Sequence, residues 1–238
     1  MARCDDAPPH RKDIGYRDGA ARGHEVDPNM RDWKLLVEFA VVFVAMPLAF
    51  RNKRFFFPPL PALWLVAAYC LFRLLGDPGF DRRRLWNVGP LRDEIAPILA
   101  TFGATALVVA AAVYFLRPQL LFNFVRRAPA FWALVVVLYP VLSVYPQGVV
   151  FRAYLFHRFG DLFRGPAWTV LASALAFAFV HIIFESALSV ALTFAGGLLF
   201  AWRYWQTGSL FVSSFEHALY GCFMFTIGLG QYFYRGAR

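Results

Sequence analysis

Apolar runs close to twenty residues long follow one another along this chain, with only short polar connections between them. A helix rises about 1.5 Å per residue, so about 20 apolar residues cross the roughly 30 Å hydrocarbon core of a bilayer. Backbone groups in lipid must be satisfied within each segment, which leaves helices or a closed barrel. No period-two alternation marks strands, so the reading is all-α: a polytopic transmembrane helix bundle of about seven helices. The composition agrees, with 59% apolar and 16% charged residues, against about 45–50% and about 25% in soluble domains.

The runs lie at roughly Trp33–Phe50, Pro58–Leu75, Ile95–Leu116, Phe131–Val150 and beyond, Ala167–Phe184, Ala187–Trp202 and Ser209–Phe233. They succeed one another too closely for two domains, so residues 33–238 read as a single transmembrane domain. Residues 1–32 mix both charge signs with Pro and Gly and lack an apolar run; they read as a polar, disordered tail rather than a signal peptide. The formal net charge of +9 falls between the apolar runs. It reads as headgroup-facing flanks in contact with membrane lipid, with no nucleic-acid partner. The excess of basic residues near the helix ends favours an inside N-terminus. Cys4, Cys70 and Cys222 form no metal or disulfide spacing.

Ionisable groups are costly in a membrane and usually face the bundle interior. Here they gather in the last four runs: Gln147 and Arg152 on the fourth, His181 and Glu185 near the end of the fifth, Glu216 and His217 on the seventh. Gln147 and His181 each lie about 17 residues from the turn near residue 164, which in an antiparallel hairpin puts them at one depth. His217 falls within the membrane as well. Two His, a carboxylate and an open position make a catalytic zinc pattern. His181 and His217 are thus the candidate metal ligands, for Zn2+ or a similar divalent cation. Hydrogen-bonded packing histidines would look the same, and the residues alone weigh the two readings evenly. No paired broken helices of a transporter with inverted repeats are evident.

Three stretches now resemble the CPBP family, the intramembrane endopeptidases related to the type II CAAX prenyl protease and to bacteriocin-processing proteins. Against that family's EExxxR motif stands Gln147-Gly148-Val149-Val150-Phe151-Arg152, against FxxxH stands Phe177-Ala178-Phe179-Val180-His181, and against HxxxN stands His217-Ala218-Leu219-Tyr220-Gly221. Order and spacing fit over about residues 130–230. The resemblance implies an endopeptidase acting on a membrane-associated protein or peptide, metal-assisted or glutamate-type, in a multi-pass protein of a bacterial inner membrane. It places Gln147, Arg152, His181 and His217 in the catalytic site.

The first motif has lost both acids. A carboxamide at Gln147 can orient a water but cannot take its proton, and Gly148 brings no side chain. Gly221 stands where the family often has Asn, so a candidate oxyanion donor is missing. Glu185, at i+4 from His181, shares its face and is the candidate substitute carboxylate, although a helix-end residue at the membrane surface is the favoured reading of it. Glu216 points about 100° away from His217 and is expected to pair with an internal arginine, Arg152 or Arg203. Arg152 is expected to clamp the fourth helix through an ion pair or a backbone carbonyl, with a substrate carboxylate as the other role. A pseudoprotease of the same fold, binding a membrane partner through the old cleft, is the alternative to the enzyme.

Overall fold

A computed structural model describes residues 28–52 and 58–233. Those residues are helical and contain no strand. Six helices are long and apolar enough to cross a membrane: α1 (Trp33–Arg51), α3 (Leu91–Leu116), α4 (Pro129–Leu162), α5 (Pro166–Phe184), α6 (Ala187–Thr207) and α7 (Leu210–Ile227). The second apolar run forms the shorter helix α2 (Pro59–Leu75). Helical structure is already in place at Pro28, ahead of the first apolar run; residues 1–27 of the polar tail lie outside the described residues. Helix α7 is shorter than its apolar run, because Gly228 turns left-handed at φ 102° and ends it at Ile227.

Helix α4 carries prolines at 140 and 146, and its winding alternates between α and π turns. A proline has no N–H to give the carbonyl four residues back. For Pro146 that carbonyl is Leu142, and the Trp64 indole of α2 donates to it at 2.9 Å. For Pro140 it is Val136, which receives the Cys222 thiol of α7 at 3.6 Å. Neighbouring helices thus supply what each proline withholds, the condition under which proline is tolerated inside a membrane helix. The π segment Val149–Tyr154 holds Arg152, and the Phe151 carbonyl within it accepts from Ser173 of α5 at 2.7 Å. Single π turns often mark functional sites.

The α4–α7 seam is antiparallel and closely registered. Trp132 Nε1 donates to Thr226 Oγ1 at 3.1 Å, Cys222 reaches Val136, and Tyr139 meets His217 at 3.4 Å. Further along, a Cβ on Gly148 would stand 2.8 Å from Leu210 Cδ1 and 3.0 Å from Ser214 Oγ. Helix α6 approaches α5 at Gly197, where a Cβ would lie 3.0 Å from Ala174 Cα and 3.2 Å from Phe177 Cδ1. Gly197 is therefore a close-approach position, whereas Gly196 faces only Phe200 of its own helix.

Two charged networks fasten the bundle away from these seams. Glu38 of α1 accepts from Tyr69 at 3.0 Å, from Arg158 at 3.1 and 3.2 Å, and from the Tyr154 hydroxyl. Arg203 of α6 donates to Glu216 of α7 at 2.9 Å and also to Glu94 of α3. Of the two arginines expected for Glu216, the partner is Arg203.

Candidate active site

The ring of Phe177 organises the candidate site. It sits one helical turn before His181, so both residues face the same way. The His181 imidazole lies 4.8 Å from it and the His217 imidazole 5.4 Å, centroid to centroid. The Arg152 guanidinium carbon lies 4.6 Å from the same ring and 5.4 Å from Phe200. Phe200 in turn stacks on His217 at 4.6 Å with the planes 20° apart. Helices α4, α6 and α7 each contribute one of these side chains and α5 contributes two, so the bundle brings three separated motifs to one place. Arg152, His181 and His217 are all buried.

His181 Nδ1 lies 2.7 Å from the Phe177 carbonyl. A carbonyl only accepts, so Nδ1 carries the proton and Nε2 presents its lone pair. The contact is a by-product of helix geometry: α5 gives way to a tighter turn at His181–Phe184, and the imidazole folds back onto the last α turn. The other polar groups of the site are less complete. Gln147 Oε1, Arg152 Nε and Nη2, and His217 Nδ1 are buried with no hydrogen-bond partner among the described residues. Buried polar atoms are nearly always paired with protein or water, so open ones in the first and third motifs mark where a polar partner can be taken up.

Several expectations fare differently. Gln147 donates along its own helix to Ser143 Oγ at 2.7 Å and makes no hydrogen bond to either imidazole. Glu185 does not share a helical face with His181, because the α-helix stops at Val180 and Glu185 turns left-handed at φ 56° on the exposed surface. Its i+4 relation to His181 holds only on a continued helix. The ion pair or carbonyl clamp expected of Arg152 is not formed by its Nε or Nη2; aromatic faces hold the guanidinium instead. Glu216 is fully buried but engaged by Arg203.

These placements bear on the metal. Among the described residues no group of three or more His, Cys, Asp or Glu side chains comes together. A catalytic zinc takes three protein ligands and a water, and His181 and His217 supply two. Among the described residues the site thus offers two of the three protein ligands of a catalytic zinc centre.

One neighbour was not singled out in the sequence. Tyr139 Oη lies 3.4 Å from His217 Nε2, with its ring edge-on to the imidazole. The signal was present: Tyr139, Ser143 and Gln147 recur every four residues, the spacing of one helical face, in an otherwise apolar run.

No curated protein and no solved structure matches the chain. A family model does. It is described as type II CAAX prenyl endopeptidase Rce1-like, and it spans the stretch that holds Gln147, Arg152, His181 and His217. The match covers residues 127–223 of this chain and is consistent with the resemblance to the CPBP family.

Proposed function

We propose that this chain is an intramembrane endopeptidase of the CAAX-protease type whose base is His181 rather than a motif glutamate. The observation that carries the reading is the convergence of Arg152, His181 and His217 on Phe177, with open polar atoms on Arg152 and His217 among the described residues. His181 Nε2 takes a proton from water as the water oxygen attacks the scissile carbonyl carbon. The proton passes to the leaving nitrogen as the C–N bond breaks, giving a carboxylate and an amine. An imidazole is suited to both transfers near neutral pH, and such catalysis is worth about 10²–10⁴-fold. Gln147 Oε1 accepts from the water and orients it. Arg152 offers Nε–H and Nη2–H to substrate carbonyl or C-terminal carboxylate oxygens, a two-pronged fit. The substrate is a membrane-associated peptide or protein, and no step requires a metal.

A second reading has an observation of its own. The place of the second motif acid is filled, since Leu210 and Ser214 close on Gly148. A chain in this state could hold a membrane peptide without cutting it. Proteoliposomes incubated with prenylated and unprenylated C-terminal peptides, with products read by mass spectrometry, separate the two. Cleavage by the wild type that is lost in both His181→Ala and His217→Ala supports the endopeptidase. Binding without cleavage, with cleavage appearing in Gln147→Glu, supports the binding protein.

A further inference from the structure

Gly221 and Tyr139 make an unexpected pair. A Cβ on Gly221 would lie 2.2 Å from Tyr139 Cε1 and 2.5 Å from its hydroxyl oxygen. The tyrosine ring thus occupies the volume that any side chain at 221 would need. The same ring carries the hydroxyl that stands 3.4 Å from His217 Nε2. His217 and Gly221 are one turn apart on α7, so a side chain at 221 and the Tyr139 hydroxyl compete for one position beside the imidazole.

We infer that Tyr139 is the positioning residue for His217, supplying from α4 the polar group that position 221 lacks. The phenol O–H donates to His217 Nε2. That contact leaves the imidazole proton on Nδ1, which is buried and has no partner among the described residues. His217 is then a donor, aimed by Tyr139, while His181 is an acceptor, fixed by the Phe177 carbonyl. Both imidazoles then hold the Nδ1–H tautomer and differ in the atom left open, the Nε2 lone pair of His181 and the Nδ1–H of His217. In the endopeptidase reading the Nδ1–H of His217 donates to the carbonyl oxygen on which charge develops as water attacks, which is where a preorganised donor counts most. Catalytic hydrogen bonds in ligand-free proteins are commonly long and tighten when substrate binds, as the 3.4 Å contact would.

Phe225 holds the phenol ring edge-on at 5.3 Å, and Tyr139→Phe preserves that packing while deleting the hydroxyl. The tautomer assignment rests on the contact alone; the donor role rests on the proposed function, and the experiment keeps them apart. The protein is labelled with 15N-histidine, reconstituted, and its His217 ring shifts are assigned by difference against His217→Gln. The wild type is expected to show a protonated Nδ1 and a bare Nε2, and Tyr139→Phe a shift of at least part of the population to the other tautomer. Unchanged His217 shifts in Tyr139→Phe would overturn the inference, whatever the chain does to peptides. In the cleavage assay Tyr139→Phe is expected to lower kcat by about 100-fold with KM little changed, the scale of one misaligned group. A shifted tautomer with unaltered kcat would overturn the donor role and leave the tautomer standing. The compensating variant gives a second check. Gly221→Asn alone should lose the folded yield, whereas Tyr139→Ala with Gly221→Asn should recover it and regain part of kcat. An equal loss in both would contradict a shared position.

Discussion

Gly148 shows how a single position decides what can be tested at this site. It stands where the family motif has its second acid, and the simple repair would be to restore a glutamate. Leu210 Cδ1 and Ser214 Oγ close the space to 2.8 and 3.0 Å. Overpacking a close helix contact costs about 1–3 kcal/mol, so Gly148→Glu should lower the thermal midpoint, while Gln147→Glu, on the half-buried neighbour, should not. Light-scattering melts of the two variants in one detergent give the comparison; equal midpoints would mean that α7 does not pack as described. Asp77 provides a residue-scale test outside the membrane helices. The hydrogen bond from His157, 2.8 Å long, holds the Asp77 carboxyl below its usual range. A carboxyl with a depressed folded pKa stabilises fully above its unfolded value, about 3.9, and the contribution disappears as pH falls through the folded value. Asp77 is 44% exposed, so solvent keeps the effect below about 1 kcal/mol. The midpoint of the wild type should fall slightly more steeply than that of Asp77→Asn on acidification below about pH 4; parallel curves would remove the pair from the account.

At the scale of elements, the bundle depends on close seams and on repair of proline breaks. Gly197→Leu should push α6 from α5 at Ala174 and Phe177. Because Phe177 carries both imidazoles and the guanidinium, loss of cleavage should accompany the loss of stability, and an active, stable variant would contradict the role given to that ring. Trp64→Phe should leave the Leu142 carbonyl without its indole donor. An acceptor left unpaired on a membrane-facing helix has no water to turn to, and the loss, about 1–3 kcal/mol, is to be read from the midpoint. Much at this scale was legible in the sequence, because the length of an apolar run reports directly on bilayer thickness. The seven runs correspond to α1–α7, and the three motif helices meet as their order implied. Helix ends were less legible. The i+4 link from His181 to Glu185 assumed a helix that the chain abandons at Val180, and α7 was read through Gly228, a left-handed stop. Tyr139 was hidden for a different reason. Its meaning lies in a contact with a glycine 82 positions away, and an absent side chain gives no sequence signal of what fills its space.

Across the whole molecule, charge is used for fastening in two places and for chemistry in a third. The Glu38 network ties α1, α2 and α4, and the Glu94–Arg203–Glu216 network ties α3, α6 and α7. Removing one partner of a buried pair costs about 3–5 kcal/mol, because the other charge is left uncompensated. Arg203→Leu should therefore unfold the bundle at markedly lower temperature, whereas Arg203→Leu with Glu216→Leu should recover much of the loss. Arg152 differs from Arg203: also buried, it lies over the aromatic rings of Phe177 and Phe200. That contrast separates the site from the scaffold. In the proposed function the site's chemistry depends on imidazoles and a guanidinium, where the matching family's motif supplies acids. The most direct test is the single-turnover cleavage rate of one membrane-associated peptide by wild type and by His181→Ala in proteoliposomes, at equal peptide occupancy and with a chelator present. The account predicts cleavage by the wild type despite the chelator and a loss of at least about 100-fold without the imidazole. An unchanged rate in His181→Ala, or wild-type cleavage abolished by the chelator and restored by zinc, would contradict it.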